Sequence, residues 1–288
     1  MSELNERCQE ALERRRGRWR RRTTFGGAVS AVATGLLLAQ AGAAGATTCT
    51  NTGGSGNGYY YAGLETNSYA YAGVEGYISV DGQQVYDESF QHLLNYVGVI
   101  TPLSCSVTTC GIQTGDGTGT ISGHSNPSGA TTPNPYMEEN DVNGYDPAWS
   151  SIGLTQNDFY TVFYTGTTKH VGGNVVGLFD AYVQPSGSSP QLIGQAWLRD
   201  YRRVVPGGIT EVEEVGSSEN CPTLNQYEYF GTNGSGGSNS GTYLEALTGG
   251  STQTWEAWPS SDATHHQDAP YVYSSLHDFG AFETWKSS

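Results

Sequence analysis

Positive charge is what this 288-residue chain has least of outside its first segment. Of its 13 lysines and arginines, eight are arginines within residues 1–46. Only Lys169, Arg199, Arg202, Arg203 and Lys286 follow, against 24 of the 28 acids, so residues 47–288 carry a net charge of −19. Such a balance argues against nucleic acid and against anionic membrane surfaces as partners. No hydrophobic run is long enough to span a bilayer: Phe25 to Ala39 is the best candidate, and about 20 residues are needed. There is no convincing amphipathic helix, only a single candidate turn at Glu88 to Leu94, and no tandem repeat. No G-x-S-x-G elbow is present, since Gly237 to Gly241 has Asn239 at the serine position, and there is no H-E-x-x-H. The familiar signatures of serine and zinc hydrolases are therefore missing. His265-His266 lies in a polar stretch bounded by proline and is expected to be a surface loop. No cofactor and no metal site is expected.

Cysteine is sparse. Cys8 precedes the run of small residues at 41–46, which leaves Cys49, Cys105, Cys110 and Cys221. Four cysteines allow three pairings. The close pair Cys105–Cys110 would leave Cys49–Cys221. A metal site is the competitor, but no C-x-x-C and no neighbouring histidine supports it.

Residues 1–46 read as an export signal: an arginine-rich stretch ending at Arg22, a short Ala/Gly-rich apolar run, then Ala41-Gly42-Ala43 and Ala44-Gly45-Ala46 as cleavage sites. Arg21-Arg22 with Phe25 leaves Sec and twin-arginine export both open. The mature protein is thus expected outside the cell, monomeric, with no stable membrane insertion after cleavage, in a compartment that permits disulfides. Residues 47–58 are a Gly/Ser/Asn-rich linker and 59–288 a single domain. That domain is rich in Gly, Tyr, Thr and Ser, with short alternating runs between turn residues. Strands are expected over 59–64, 70–80, 93–100, 110–113, 131–139, 159–164, 175–183, 191–198, 209–215, 227–230, 243–247 and 279–285. Many short strands imply an all-β sandwich or barrel. Residues 231–241 are expected to be a surface loop within it.

What chemistry remains rests on one glutamine and several strand acids. Gln113 lies among small and β-branched residues in Gly111-Ile112-Gln113-Thr114-Gly115. Glu138 and Glu139 follow Tyr136-Met137. Glu211, Glu213 and Glu214 crowd one short strand, with Glu211 and Glu213 on one face and Glu214 on the other. Solvated acids on an outward face are the ordinary reading of such residues.

The order of these pieces resembles the eqolisin family of glutamic peptidases and, more loosely, neprosin-like proteins. Tyr61-Ala62-Gly63 is similar to the family's Trp-Ala-Gly, and Val74 to Val80 to its next strand. Tyr96-Val97-Gly98-Val99 is similar to Trp-Val-Gly-Ile. Gln113-Thr114-Gly115 matches Gln-Thr-Gly. Tyr136-Met137-Glu138 resembles a Tyr-Glu-Trp strand, Asn157-Asp158 a Gly-Asp turn, and the strand at Glu211 a Glu-Trp-Ile-Val-Glu segment. Two family tryptophans are Tyr61 and Tyr96 here, and the residue after Glu211 is Val212.

The resemblance implies a concanavalin-like antiparallel β-sandwich of jelly-roll type with a cleft on the concave sheet. It implies hydrolysis of a polypeptide substrate at acidic pH by a Gln/Glu dyad: Gln113 with Glu211, the register leaving Glu213 or Glu214 as alternatives. Tyr96, Tyr136 and Glu138 would line the substrate site. The same sandwich also carries lectins and glycan-cleaving enzymes. A carbohydrate-binding or glycan-cleaving protein, or an exported surface protein without catalysis, is therefore the alternative.

Overall fold

The computed structural model describes residues 57–79, 83–85, 91–104, 109–155, 157–215, 223–224, 228–230, 245–249, 253–258, 263–267, 271–275 and 282–286. No helix occurs among them. The strands, in chain order, are β1 (Asn57–Thr66), β2 (Tyr71–Ser79), β3 (Gln83–Gln84), β4 (His92–Ser104), β5 (Thr109–Ile121), β6 (His124–Ser125), β7 (Asn134–Asn140), β8 (Tyr145–Trp149), β9 (Asn157–Val171) and β10 (Asn174–Gln184). They continue with β11 (Gln191–Arg199), β12 (Val205–Val215), β13 (Thr223–Leu224), β14 (Glu228–Phe230), β15 (Glu245–Thr248), β16 (Trp255–Ala257), β17 (Ala263–Gln267), β18 (Tyr271–Ser275) and β19 (Phe282–Lys286).

Two antiparallel sheets account for nearly all of them. The first runs β17-β1-β12-β4-β5-β7-β8, with β6 on β5; the second runs β11-β10-β9-β2-β14-β19-β18, with β15 on β2 and β16 on β15. They pack face to face as a sandwich. The alternation that predicts strands is visible in β9, where buried and more exposed side chains alternate from Asp158 to Tyr164.

The core lies between the sheets. Leu64, Val97, Val99, Ile112 and Met137 come from the first sheet; Val74, Ile78, Tyr160, Val162, Phe179 and Ala181 come from the second. Each large apolar side chain buried there contributes about 1.5–3 kcal/mol relative to exposure. A polar seam crosses the same interior. Gln83 Nε2 and Asn95 Nδ2 both donate to Asp116 Oδ1, at 2.6 and 3.0 Å. The Thr210 hydroxyl donates to Asn95 Oδ1 at 2.7 Å and lies 2.6 Å from the Thr284 hydroxyl on the opposite sheet. Paired in this way, buried polar groups tie the two sheets at one register.

At Gly115 the backbone of β5 leaves no room for a side chain against β4. A Cβ on Gly115 would overlap the Asn95 carbonyl oxygen, so this position of the Gln113-Thr114-Gly115 triplet admits only glycine at the observed spacing.

Several elements differ from the sequence expectation. β5 continues eight residues beyond Gln113, through Gly115, Gly117 and Gly119, because those glycines let β4 pack closely rather than break the strand. Residues 92–94, expected in a helical turn, open β4. Asn157-Asp158, expected as a turn, opens β9. His265-His266 is not in a loop: it sits in β17, which completes the edge of the first sheet by pairing with β1. β8, β16 and β18 were not anticipated. β1 begins at Asn57, two residues inside the expected linker. The export segment, residues 47–56 and 231–241, and Cys49, Cys105 and Cys221 lie outside the described residues. Cys110 is wholly buried and disulfide-bonded; the Cys105–Cys110 and Cys49–Cys221 pairings lie outside the described residues.

Candidate active site

Strand parity divides the first sheet into two faces. Val97, Val99, Ile112 and Met137 point into the sandwich, so Tyr96, Gly98, Gln113, Tyr136 and Glu138 point to its other face. Glu211 belongs to the same set, since its register partners are Tyr61 on β1 and Leu94 on β4. A second hydrophobic cluster paves this face: Tyr61, Leu94, Tyr96, Ile121, Tyr136 and Ile209, with Trp149 packed against it. The rings of Tyr136 and Trp149 are tilted at a centroid distance of 5.8 Å.

Gln113 is completely buried in this face. Its cross-strand partner on β7 is Glu138, and its partner on β4 is Gly98. Gln113 Nε2 donates to Glu138 Oε2 at 3.1 Å and to the Tyr136 hydroxyl at 3.3 Å. Its Oε1 is buried and accepts no hydrogen bond among the described residues. The backbone beside it is held by the Thr114 hydroxyl, which donates to the Tyr136 carbonyl at 2.8 Å.

Glu211 is also buried, at 7% exposure. It lies against His92, whose Nε2 is 3.5 Å from Glu211 Oε1. His92 Nδ1 is 3.3 Å from the Thr120 carbonyl oxygen. Nδ1 thus faces the carbonyl and Nε2 faces the carboxylate.

Tyr96 stands between the two acids. Burial above all, then the charge of Glu211, push its phenol well above the ordinary tyrosine value; Glu138 adds a smaller effect. Its hydroxyl is buried without a hydrogen-bond partner among the described residues. Tyr136 is raised in the same way, by burial first and then by Glu138 and Glu211, while the Gln113 hydrogen bond opposes. Both phenols therefore keep their protons and can donate.

The structure thus places all five expected residues on one face. It pairs Gln113 with Glu138 directly, a contact that the sequence did not single out. Glu213 and Glu214 have their backbone in β12, opposite Tyr59 and Gly58 of β1. His92 was missed: nothing in Gln91-His92-Leu93 marks it, and only the pairing of β4 with β12 brings it to Glu211. Glu139 was missed as a titrating group. It alternates to the opposite face from Glu138, and burial, then Asp141 and Asp146, raise its carboxyl to about 8. His266 contacts Glu65 Oε1 at 2.8 Å. No group of three or more histidine, cysteine or acidic residues among the described residues has a metal-binding arrangement.

No protein-family model matches the chain, and no curated protein matches it in sequence. Its fold is similar to two kinds of solved structure. One is the crystal structure of scytalido-glutamic peptidase with a transition state analog inhibitor: 12% identity, covering 81% of this chain and 100% of that one, at a TM-score of 0.48. The other is SCP-B, a member of the eqolisin family of peptidases, in a complex with a tripeptide Ala-Ile-His, with the same identity and coverage at a TM-score of 0.43. The likeness concerns the sandwich.

Proposed function

We propose that this chain is an exported hydrolase of the glutamic-peptidase type, cleaving peptide bonds in acid with Gln113 and Glu211 as its working pair. The observation that carries this reading is Gln113 itself. A neutral amide is held wholly buried on the outer face of a sheet, both N–H donors engaged and its buried oxygen without a hydrogen bond among the described residues, with the acids Glu138 and Glu211 on the same face.

In the proposed reaction the Glu211 carboxylate takes a proton from a water, and that water attacks the scissile carbonyl carbon. Charge then gathers on the carbonyl oxygen. Gln113 Nε2 stabilises it by exchanging its longer contact, to the Tyr136 hydroxyl, for the oxyanion. Glu211 next gives its proton to the leaving amine as the C–N bond breaks. Loss of a donor of this kind costs about 3 kcal/mol of barrier, or roughly a hundredfold in rate. Glu138 orients the Gln113 amide, and Tyr96 and Tyr136 line the face as neutral donors.

A second reading follows from Glu138 facing the same way as Glu211. Two such carboxyls are also what hydrolysis by an acid pair requires, on a glycan or on a peptide.

A proteolysis assay on a denatured protein at about pH 3 to 5, where carboxyls titrate, separates the two. The dyad predicts that Gln113→Ala and Glu211→Gln each abolish cleavage while the fold survives, and that Glu138→Gln leaves a reduced rate. If Glu138→Gln and Glu211→Gln abolish cleavage and Gln113→Ala does not, the acid pair is the mechanism. An inactive wild-type protein would overturn the peptidase reading.

The export signal at 1–46 and the extracellular location belong to the same proposal. Among the described residues no helix is long and apolar enough to cross a membrane.

A further inference from the structure

His92 opens β4 on the same face as Tyr96, where β5 runs into β6. Its partner on β5 is Gly119, whose φ of 94° lies in the region that favours glycine. A Cβ there would overlap the Gln91 carbonyl oxygen and stand 2.8 Å from the His92 Cα. Glycine therefore lets β5 close onto β4 at this point, and the Thr120 N–H donates to the Gln91 carbonyl at 2.9 Å. That closure brings the Thr120 carbonyl oxygen to the imidazole, 3.3 Å from Nδ1.

The other ring nitrogen, Nε2, is 3.5 Å from Glu211 Oε1. His92 and Glu211 are both buried. The ring thus lies between two oxygens, a carbonyl and a carboxylate. A neutral imidazole has one N–H and serves only one of them; its second nitrogen then faces an oxygen lone pair. Imidazolium has two N–H groups and serves both. Shifting one proton from Nε2 to Oε1 satisfies the same contact, so the pair holds that proton in common.

We propose that His92 is a positioning residue for Glu211: as imidazolium it holds Oε1 and leaves Oε2 as the oxygen that takes the proton of the attacking water. The inference rests on the dyad reading of the site. His92 is itself buried and acts only through the carboxylate. Its proton becomes a second requirement for cleavage, beside an ionised Glu211. When that proton leaves, Nε2 presents a lone pair to the carboxylate and Oε1 is released, so cleavage falls on the alkaline side.

The remaining groups on this face leave that role to His92. Tyr61 comes from β1, Tyr96 from β4, and Tyr136 with Glu138 from β7. The Tyr96 and Tyr136 phenols keep their protons, and Glu138 accepts from Gln113 Nε2. β5 brings Gly117 and Gly119 beside Leu94 and His92. On β12 the register position opposite His92 is Glu213, and opposite that on β1 is Tyr59.

The test uses the full chain and cleavage of a denatured protein from about pH 3 to 8, across the carboxyl and imidazole ranges. Wild-type kcat should fall as pH rises through about 6.5, where imidazoles ordinarily titrate. His92→Gln keeps an N–H donor that does not titrate. Its kcat at about pH 4 should stay within roughly threefold of wild type, and the alkaline fall should vanish. His92→Leu fills the space without a donor. Its kcat at about pH 4 should drop roughly 10- to 100-fold with KM unchanged, the range of one hydrogen bond to a charged group. Melting temperatures check that both variants fold.

A second measurement needs no cleavage. In nitrogen-15 NMR the ring signal that His92→Gln deletes should titrate about one pH unit lower in Glu211→Gln than in the wild type, because the neighbouring anion is gone. Full activity in His92→Leu, an alkaline fall in His92→Gln that matches wild type, or an unmoved ring titration in Glu211→Gln would each overturn the proposal. So would a titration that moves in Glu213→Gln and not in Glu211→Gln. Cleavage that needs Gln113 and Glu211 but is indifferent to His92 would end the positioning role alone. A shifted titration in a chain that cleaves nothing would end the peptidase reading, and the role of His92 with it.

Discussion

Tyr96 concentrates the tension between stability and function. Its ring belongs to the outer-face cluster, but its hydroxyl is buried and accepts and donates nothing among the described residues. A buried hydroxyl without a partner costs about 1–3 kcal/mol. Replacing it with phenylalanine keeps the ring and deletes that cost. Tyr96→Phe should therefore raise the free energy of unfolding by about 1 kcal/mol, read from denaturant melts. If the hydroxyl donates to bound substrate, the same variant should cut peptide cleavage by about tenfold, mostly in kcat/KM. A variant that is both less stable and fully active would mean the hydroxyl serves packing alone. At this scale the sequence was informative about identity and silent about company. Gln113, Glu138 and Glu211 could all be singled out from local residue pattern and family likeness. That Gln113 donates to Glu138 and that His92 leans on Glu211 could not. Both contacts cross strands separated by more than twenty residues, and nothing local records which strand lies beside which.

At the scale of strands, parity and glycine decide the geometry. β4, β5 and β12 are centred in their sheet, and a shift of one residue would turn Gln113 on β5, Glu211 on β12 or Tyr96 on β4 into the core. The Gly98–Gln113 pairing guards that register. Gly98→Ala would drive its Cβ to 2.7 Å from that of Gln113, and the neighbour is anchored backbone-side, not a flexible tip. Overpacking of this sort costs about 1–3 kcal/mol. We expect Gly98→Ala to lower the unfolding free energy by that amount and to reduce cleavage beyond what the fraction unfolded explains, as measured by melts and assays on one preparation. Gly207→Ala, which meets only ordinary contacts, serves as its control for stability. The existence of these strands was readable from alternation, as in β9. Their lengths were not. β5 passes through three glycines that resemble a strand break, because a glycine that ends a strand and a glycine that admits a neighbour look alike in one dimension. β17 was hidden for a related reason. Ala263 to Gln267 is polar on both faces, as suits an edge strand, so hydrophobic alternation had nothing to show there.

For the whole molecule the governing quantity is unbalanced negative charge. The full chain carries −15, and −19 once residues 1–46 are set aside. Cations that could offset it are few: Arg203 reaches Asp200 at 3.6 Å on the surface, and such pairs contribute little. Several acids are instead held toward their neutral form. Burial raises Asp158 against the pull of the Thr155 hydrogen bonds, and raises Asp200 against Arg203. Glu139 goes furthest, from 4.5 to about 8, through burial and then Asp141 and Asp146. Its effect on stability has a definite sign. Below pH 4.5 the carboxyl is protonated in both folded and unfolded chains and costs nothing. Between 4.5 and about 8 the unfolded chain ionises while the folded one resists, so stability is lost as pH rises through that window, and above it no further loss follows. Because the group is partly solvated, screening cuts the loss to about 1 kcal/mol. Melting temperatures of the wild type should therefore be higher at pH 4 than at pH 8. Glu139→Gln, neutral at every pH, should narrow that gap by raising the pH 8 value while leaving the pH 4 value nearly unchanged. Added salt should act in the same direction at pH 8, since it screens the repulsion among the remaining carboxylates, and should do little at pH 4. If the wild type melts higher at pH 8, the buried acids do not set its pH response. An acid-stable fold is a precondition for hydrolysis by a carboxylate and an amide, so this measurement bears on the proposed chemistry without requiring a substrate.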